Sequence, residues 1–401
     1  MSNPNHKQAV LAVLRGESVD YIPWVPRLDL WYRANQRAGT LPPRYANATL
    51  MEIIDDLGVG YHSIVPNFKD LRSAKDEAHR ALGIFNLHDM PIRTVFDGVD
   101  WHLTQDGDRQ TVEYRTPIGN LTTTTVYDDA MRAAGITMTH IARHAFNGPQ
   151  DYEPLCYLFS HARVEANYEG YLAAAAKVGE RGFVAGHLCG AASPMHLIQR
   201  EFMPMDVFFY ELTDRPDEIH RLADCIGQYW RQMYEVAIEA PAEVLSLGAN
   251  YHSAMQHPRF FAQYITPWLA EFAAMVHQRG KFLLTHTDGE NFGLIPQYLA
   301  SEIDIADSIC PYPMTKMTIG ETRQGLEGRV TIMGGIPSVA LMKDSMTDQQ
   351  FETFLDEFFE QLGCGDHQIL GISDTTPPGA EFSRLLRIQE RIEAFGKVPR
   401  H

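Results

Sequence analysis

Two stretches of the chain place ligand-type side chains directly behind an apolar run. In Leu283-Leu284-Thr285-His286-Thr287-Asp288-Gly289, a histidine ends the run and an aspartate follows two residues on. In Ile369-Leu370-Gly371-Ile372-Ser373-Asp374-Thr375, an apolar run delivers an aspartate, and Pro377-Pro378-Gly379 turns the chain away. One imidazole and two carboxylates form a reasonable Zn²⁺ set with an open coordination position. By itself the His-x-Asp pair also reads as an ordinary hydrogen-bonded loop pair, and the lone Asp as a turn cap. The chemistry therefore depends on whether a fold brings His286, Asp288 and Asp374 together.

The pattern of elements says how it could. Apolar strand candidates recur at 183–187, 243–247, 282–286, 303–309, 330–333 and 368–372, with helical patterns between them. Residues 258–279 put Phe261, Ile265, Trp268, Leu269, Phe272, Met275 and Val276 on one helical stripe that Gly280 ends. Thr347 caps a helix repeating Phe351, Phe354, Leu355, Phe358 and Phe359, and a last helix spans about 380–395. Strand–helix alternation predicts a parallel sheet. Upstream, 22–25 and 61–65 supply two more strands, with helices at 7–15 and 49–57. The fold class expected is α/β, a single (β/α)8 TIM barrel over residues 1–401. Residues from about 92 to 127 alternate in period two between Gly and Asp turns, which predicts a small antiparallel β-insertion over the barrel mouth.

Barrel enzymes draw their catalytic groups from the C-terminal ends of the strands and the loops beyond. That rule nominates Arg27, Asp29, His187, Cys189, Asn250, Tyr251, His252, His286, Asp288, Pro311, Tyr312, Gly335, Ser373 and Asp374. We assign His286, Asp288 and Asp374 as metal ligands and Arg27, Asn250 and His187 as substrate-binding. Tyr251, His252 and Tyr312 are the candidates to line the pocket or supply a proton. Cys189, in a tight Gly-His-Leu-Cys-Gly loop, is a weaker nucleophile or ligand candidate.

Composition bounds the partners. A net charge of −17 argues against nucleic acid or an anionic membrane, since phosphate binding needs clustered Lys and Arg. The opening MSNPNHKQAVLAVLRGE has no apolar core of a signal segment, and the five cysteines are scattered without a Cys-x-x-Cys pair. The expectation is a cytoplasmic protein. Trp31 and Tyr32, read as exposed aromatics, and the β-insertion suggest a homodimer.

Several segments resemble the uroporphyrinogen decarboxylase superfamily, and within it the corrinoid-linked zinc methyltransferase branch. They are HKQAVLAVLRGESVDYIPWVP, RTPIGNLTTTT, GAASPMHLIQREFM, GANYHSAMQHPRFFAQYITPWL, GKFLLTHTDGE and GGIPS, in that order. The resemblance implies a barrel with a funnel at its C-terminal face. The decarboxylases carry an aspartate after the second strand, whereas Ser63-Ile64-Val65-Pro66-Asn67 has none at that place. The methyltransferases bind zinc through a His-x-Cys pair and a later Cys. His286 matches the first position, while Asp288 and Asp374 stand where the cysteines would be. Carboxylates in place of thiolates leave a harder, more Lewis-acidic ion, suited to an ether or alcohol oxygen.

The resemblance thus implies zinc-dependent transfer of a methyl group from a small methoxylated substrate to the corrinoid of a partner protein. No Asp-x-His-x-x-Gly corrinoid-binding segment occurs in the chain. One alternative is a metal-free, decarboxylase-like lyase, with Arg27 and Arg33 holding a carboxylate and Asp288 as acid or base. Another is a non-enzymatic barrel that lost catalysis with its cysteines.

Overall fold

The computed structural model describes residues 5–61, 73–133 and 136–399. Among the described residues, twelve strands divide by sequence character. The first six are β1 (Ile92–Phe96), β2 (Asp100–Asp106), β3 (Arg109–Thr116), β4 (Gly119–Val126), β5 (His140–Arg143) and β6 (Ala162–Ala166). The last six are β7 (Gly186–Cys189), β8 (Val244–Ala249), β9 (Phe282–His286), β10 (Ile305–Ile309), β11 (Thr331–Pro337) and β12 (Gln368–Ser373).

β7 to β12 form one six-stranded sheet in sequence order, every pair parallel. Their residues are buried almost without exception, including polar Gln368, Ser246, Asp307 and Thr285. That continuous burial is what a parallel sheet covered by helices requires. The sheet's hydrogen bonding continues past β12. Val25 N–H donates to the Leu370 carbonyl and Leu370 N–H to that of Pro23, both at 2.8 Å. Gly60 N–H then donates to Trp24 O, and Tyr61 N–H to Arg181 O, also at 2.8 Å. Gly60 and Gly182 permit this approach, because a Cβ at either would lie within 2.3 Å of Val25 or of the Tyr61 carbonyl. The strand expected at 61–65 lies, beyond Tyr61, outside the described residues.

The helices follow their capping and apolar signals. Leu50–Leu57 starts with a Thr49–Glu52 capping box, and Asp348–Gln361 with one from Thr347 and Gln350. Asp348–Gln361 buries Phe351, Leu355, Phe358 and Phe359 against the sheet. The single helix expected over 258–279 is instead Pro258–Phe260, a π-turn at Phe261–Ile265 and Thr266–Gln278. Pro267 explains the change: it has no N–H for the i→i−4 ladder, and the wider turn absorbs the lost bond.

The insertion is larger than the period-two pattern suggested. β2 to β5 make a four-stranded antiparallel sheet that runs on to Arg143. β1 does not join it but pairs antiparallel with β6, some seventy positions on. Trp31, expected on the surface, is 2% exposed and stacks on Phe382 with ring centroids 5.6 Å apart. It offers nothing to a dimer contact. No helix among the described residues is long and apolar enough to cross a membrane.

Candidate active site

β9 ends in His286, β10 carries Asp307 and Ser308, and Asp374 follows β12. Parallel register sets Asp307 directly beside His286 on the neighbouring strand. The imidazole Nδ1 lies 2.5 Å from Asp307 Oδ2, and both side chains are almost wholly buried. The other ring nitrogen, Nε2, faces Asp374 Oδ1 at 3.6 Å. Asp288 completes a group: one ligand atom from each of His286, Asp288 and Asp374 lies within 4.8 Å of the others. The sheet brings His286 and Asp374, 88 positions apart, into one cluster.

The loops are tied down around it. Asn250 takes a left-handed φ of 58° and donates its N–H to the His286 carbonyl at 2.9 Å. Ser308, at φ 60°, interrupts the β10–β11 register and donates its hydroxyl to Asp374 Oδ1 at 3.2 Å. Such φ values in non-glycine residues gather where a site over-determines the backbone. Gly289, at φ 123°, lets the loop behind Asp288 rest on the Tyr251 carbonyl, where a Cβ would sit 2.3 Å away.

Charge at the cluster is contested. Arg27 donates to Asp374 Oδ1 at 2.6 Å. Burial opposes a charge on His286, but the hydrogen bond and charge of Asp307, with Asp374 behind them, raise its pKa overall. Burial pushes the Asp288 carboxyl up; the His286 charge opposes this and Asp374 adds to it. One buried carboxylate, Asp307, and two half-buried ones, Asp288 and Asp374, favour whatever positive charge is at hand. A cation seated beside His286 Nε2 would meet Asp288 and Asp374, while Asp307 stays on the far side of the ring.

A cavity of about 1150 Å³ opens onto the cluster. His286, Asp374, Arg27, Asn250 and His187 all line it, beside Arg200 and Glu201. Leu30, Arg33, Met51, Phe85, Ile136 and Met138 also line it, so the loop between β4 and β5 shapes the pocket. Burial, with the nearby His286 and Arg200, holds His187 down at about 3, so it meets a ligand as a neutral ring.

Other nominated residues sit elsewhere. Asp288 reaches the cluster but is not among the cavity's lining residues, and neither are Tyr251, His252 or Tyr312. Tyr251 is fully buried, its hydroxyl 2.6 Å from Thr285 Oγ1 and its ring against Phe261 and Tyr298. His252 is exposed, with Nδ1 accepting from Ala254 N–H, and Tyr312 is 63% exposed. Cys189 is buried, and that burial pushes its thiol up to about 12, which leaves no thiolate to attack or ligate at neutral pH.

Sequence reading missed Asp307, Ser308 and the Arg200–Glu201–Arg80 group. The signal for Asp307 was present: an acid inside the apolar run Ile305-Ala306-Asp307-Ser308-Ile309 has to find a partner. Arg80 and Arg200 both bind the buried Glu201 carboxylate, at 2.5 and 3.1 Å, and Arg200 also donates to Ala249 O at 2.7 Å.

The architecture is similar to that of a solved methyltransferase from Methanosarcina mazei, with a TM-score of 0.55 and 13% identity, covering 97% of this chain and 98% of that one. At that identity the likeness is one of fold. No protein-family model and no curated protein matches the chain.

Proposed function

We propose that the chain is the substrate-side enzyme of a demethylation system. It moves the methyl group of a small O-methyl substrate to the corrinoid of a partner protein. The observation that carries this is the His286–Asp288–Asp374 cluster, of which His286 and Asp374 line a cavity of about 1150 Å³. The fold shared with a methyltransferase supports it. We also read the sheet as a closed (β/α)8 barrel of one domain, because hydrogen bonds run from β12 through Trp24 and Gly60–Tyr61 to Arg181, just before β7.

The donor set fits zinc. It offers one imidazole nitrogen and two carboxylates within 4.8 Å, with a carboxylate behind the imidazole. His286, Asp288 and Asp374 would hold Zn²⁺, which would supply Lewis acidity toward the substrate's ether oxygen. The chain's own residues do the rest. Neutral His187 and Asn250 border the bound substrate from β7 and the loop after β8, and Arg27 steadies Asp374. The apolar wall of Met51, Phe85 and Met138 keeps water from the reacting bond. His252 and Tyr312, on exposed loops after β8 and β10, are within the reach of a docked partner rather than of the cavity.

The test is direct. Zinc-loaded protein is mixed with cob(I)alamin and a panel of methoxylated aromatic and aliphatic compounds, and methylcobalamin is followed by its absorbance. Formation with at least one methyl ether supports the proposal; none across the panel counts against it.

Two observations favour a second reading. Arg27 already holds Asp374, and burial raises Asp288 toward the range of a general acid. A metal-free lyase acting on a small carboxylic acid uses those features. Release of CO₂ by protein freed of metal through exhaustive chelation supports it.

A further inference from the structure

We propose that Asp307 is a positioning residue. It holds His286 as the Nδ1–H tautomer, so that the lone pair on Nε2 points at the space between Asp288 and Asp374. This rests on the metal reading above and adds the residue that prepares the site before any ion arrives.

Four observations carry it. Asp307 has no exposed side-chain surface, so an ionised carboxylate there is costly unless it is hydrogen-bonded. Its Oδ2 lies 2.5 Å from His286 Nδ1, a charge-assisted distance that calls for a proton between them. The neighbouring strands fix the pair: Asp307 and His286 are register partners, and Thr287 donates its N–H and its hydroxyl to the Asp307 carbonyl at 2.7 and 2.9 Å. Finally, Nε2 is the nitrogen turned to Asp374, at 3.6 Å. A carboxylate accepting from Nδ1–H fixes the tautomer and raises the basicity of the opposite nitrogen, the arrangement that ligating histidines use.

An ordinary buried ion pair makes no such demand on Nε2. It is satisfied whichever nitrogen carries the proton in the neutral ring, provided the carboxylate has a partner. The two cases separate by spectroscopy on metal-free protein. With ¹⁵N-labelled histidine at alkaline pH, where the ring is neutral, the chemical shifts of His286 report which nitrogen is protonated. His286→Gln assigns the signal. The expected result is Nδ1–H and an unprotonated Nε2 in the native protein. In Asp307→Asn the amide can donate to Nδ1, so the population shifts toward Nε2–H, and zinc affinity measured against a chromogenic chelator falls by roughly 10–100-fold. Asp288→Asn lowers zinc affinity too but leaves the tautomer unchanged.

An Nε2–H tautomer in the native protein overturns the proposal, and that reading does not require any variant to fold. So does an Asp307→Asn protein with unaltered tautomer and zinc affinity within twofold of native. Because the spectrum needs neither zinc nor methyl donor, a failure of methyl transfer with the expected tautomer sinks the proposed reaction alone.

Discussion

Arg27 and His286 flank one oxygen: Asp374 Oδ1 accepts from Arg27 at 2.6 Å and faces His286 Nε2 at 3.6 Å. A cation drawn to that oxygen must share it with a guanidinium, which repels it. Arg27→Gln removes the repulsion and keeps a hydrogen-bond donor. The expected outcome is a zinc affinity higher by roughly tenfold, since close like charges in a partly buried site are worth more than 1 kcal/mol. Isothermal titration with zinc checks it. On the lyase reading, the same variant instead loses carboxylate binding and shows no zinc effect.

Asp374→Ala removes a ligand rather than a support. Zinc affinity should drop by at least about a hundredfold, beyond the range usual for a supporting residue, and methyl transfer should fall with it. Asp374 is 35% exposed on its side chain, so far-ultraviolet circular dichroism should be unchanged. Asp288→Ala should behave alike even though Asp288 does not line the cavity.

Tyr251→Phe distinguishes packing from catalysis. The hydroxyl meets Thr285 at 2.6 Å in a fully buried setting, so its loss should cost about 1 kcal/mol of stability. Turnover should stay within twofold of native. Urea unfolding and the methyl-transfer assay read the two separately, and a large loss of turnover at unchanged stability would restore Tyr251 as a catalytic group.

Stability should fall on mild acidification. Burial lowers His79 to about 4 and, with Arg200, His196 to about 3, from an ordinary 6.5. Between those values the unfolded chain binds more protons than the folded one. The contribution is therefore intact above pH 6.5 and is lost as pH falls from there toward the folded values. For His79 alone the loss amounts to roughly 3 kcal/mol. His79→Gln, which retains a polar group beside Tyr114 Oη, should flatten the dependence. Urea midpoints at neutral and mildly acidic pH measure it.

Much of the scaffold was readable because parallel strands buried on both faces leave unbroken apolar runs; 282–286 was recovered with the same bounds as β9. The strand expected at 330–333 stops short of β11, which runs on through Gly334 and Gly335 to Pro337. In the fold both glycines stay within the strand at positive φ, because a Cβ at Gly334 would strike Ser373 Oγ at 2.8 Å. β1 was misgrouped because its partner β6 lies beyond the whole antiparallel sheet, a pairing that local alternation does not encode. His286 and Asp374 were visible as polar residues ending apolar strands. Tyr251 misled for the reverse reason. Gly248 at φ 84° and Asn250 at φ 58° turn the chain at the end of β8, so the residue expected to face the mouth goes back into the core.

X-ray absorption at the zinc edge, on protein loaded with one equivalent and dialysed, tests the central claim most directly. A shared site at His286, Asp288 and Asp374 gives a shell of nitrogen and oxygen only, at about 2.0–2.2 Å, that disappears with Asp374→Ala. Protein that retains no zinc, or a shell containing sulfur at about 2.3 Å, contradicts it.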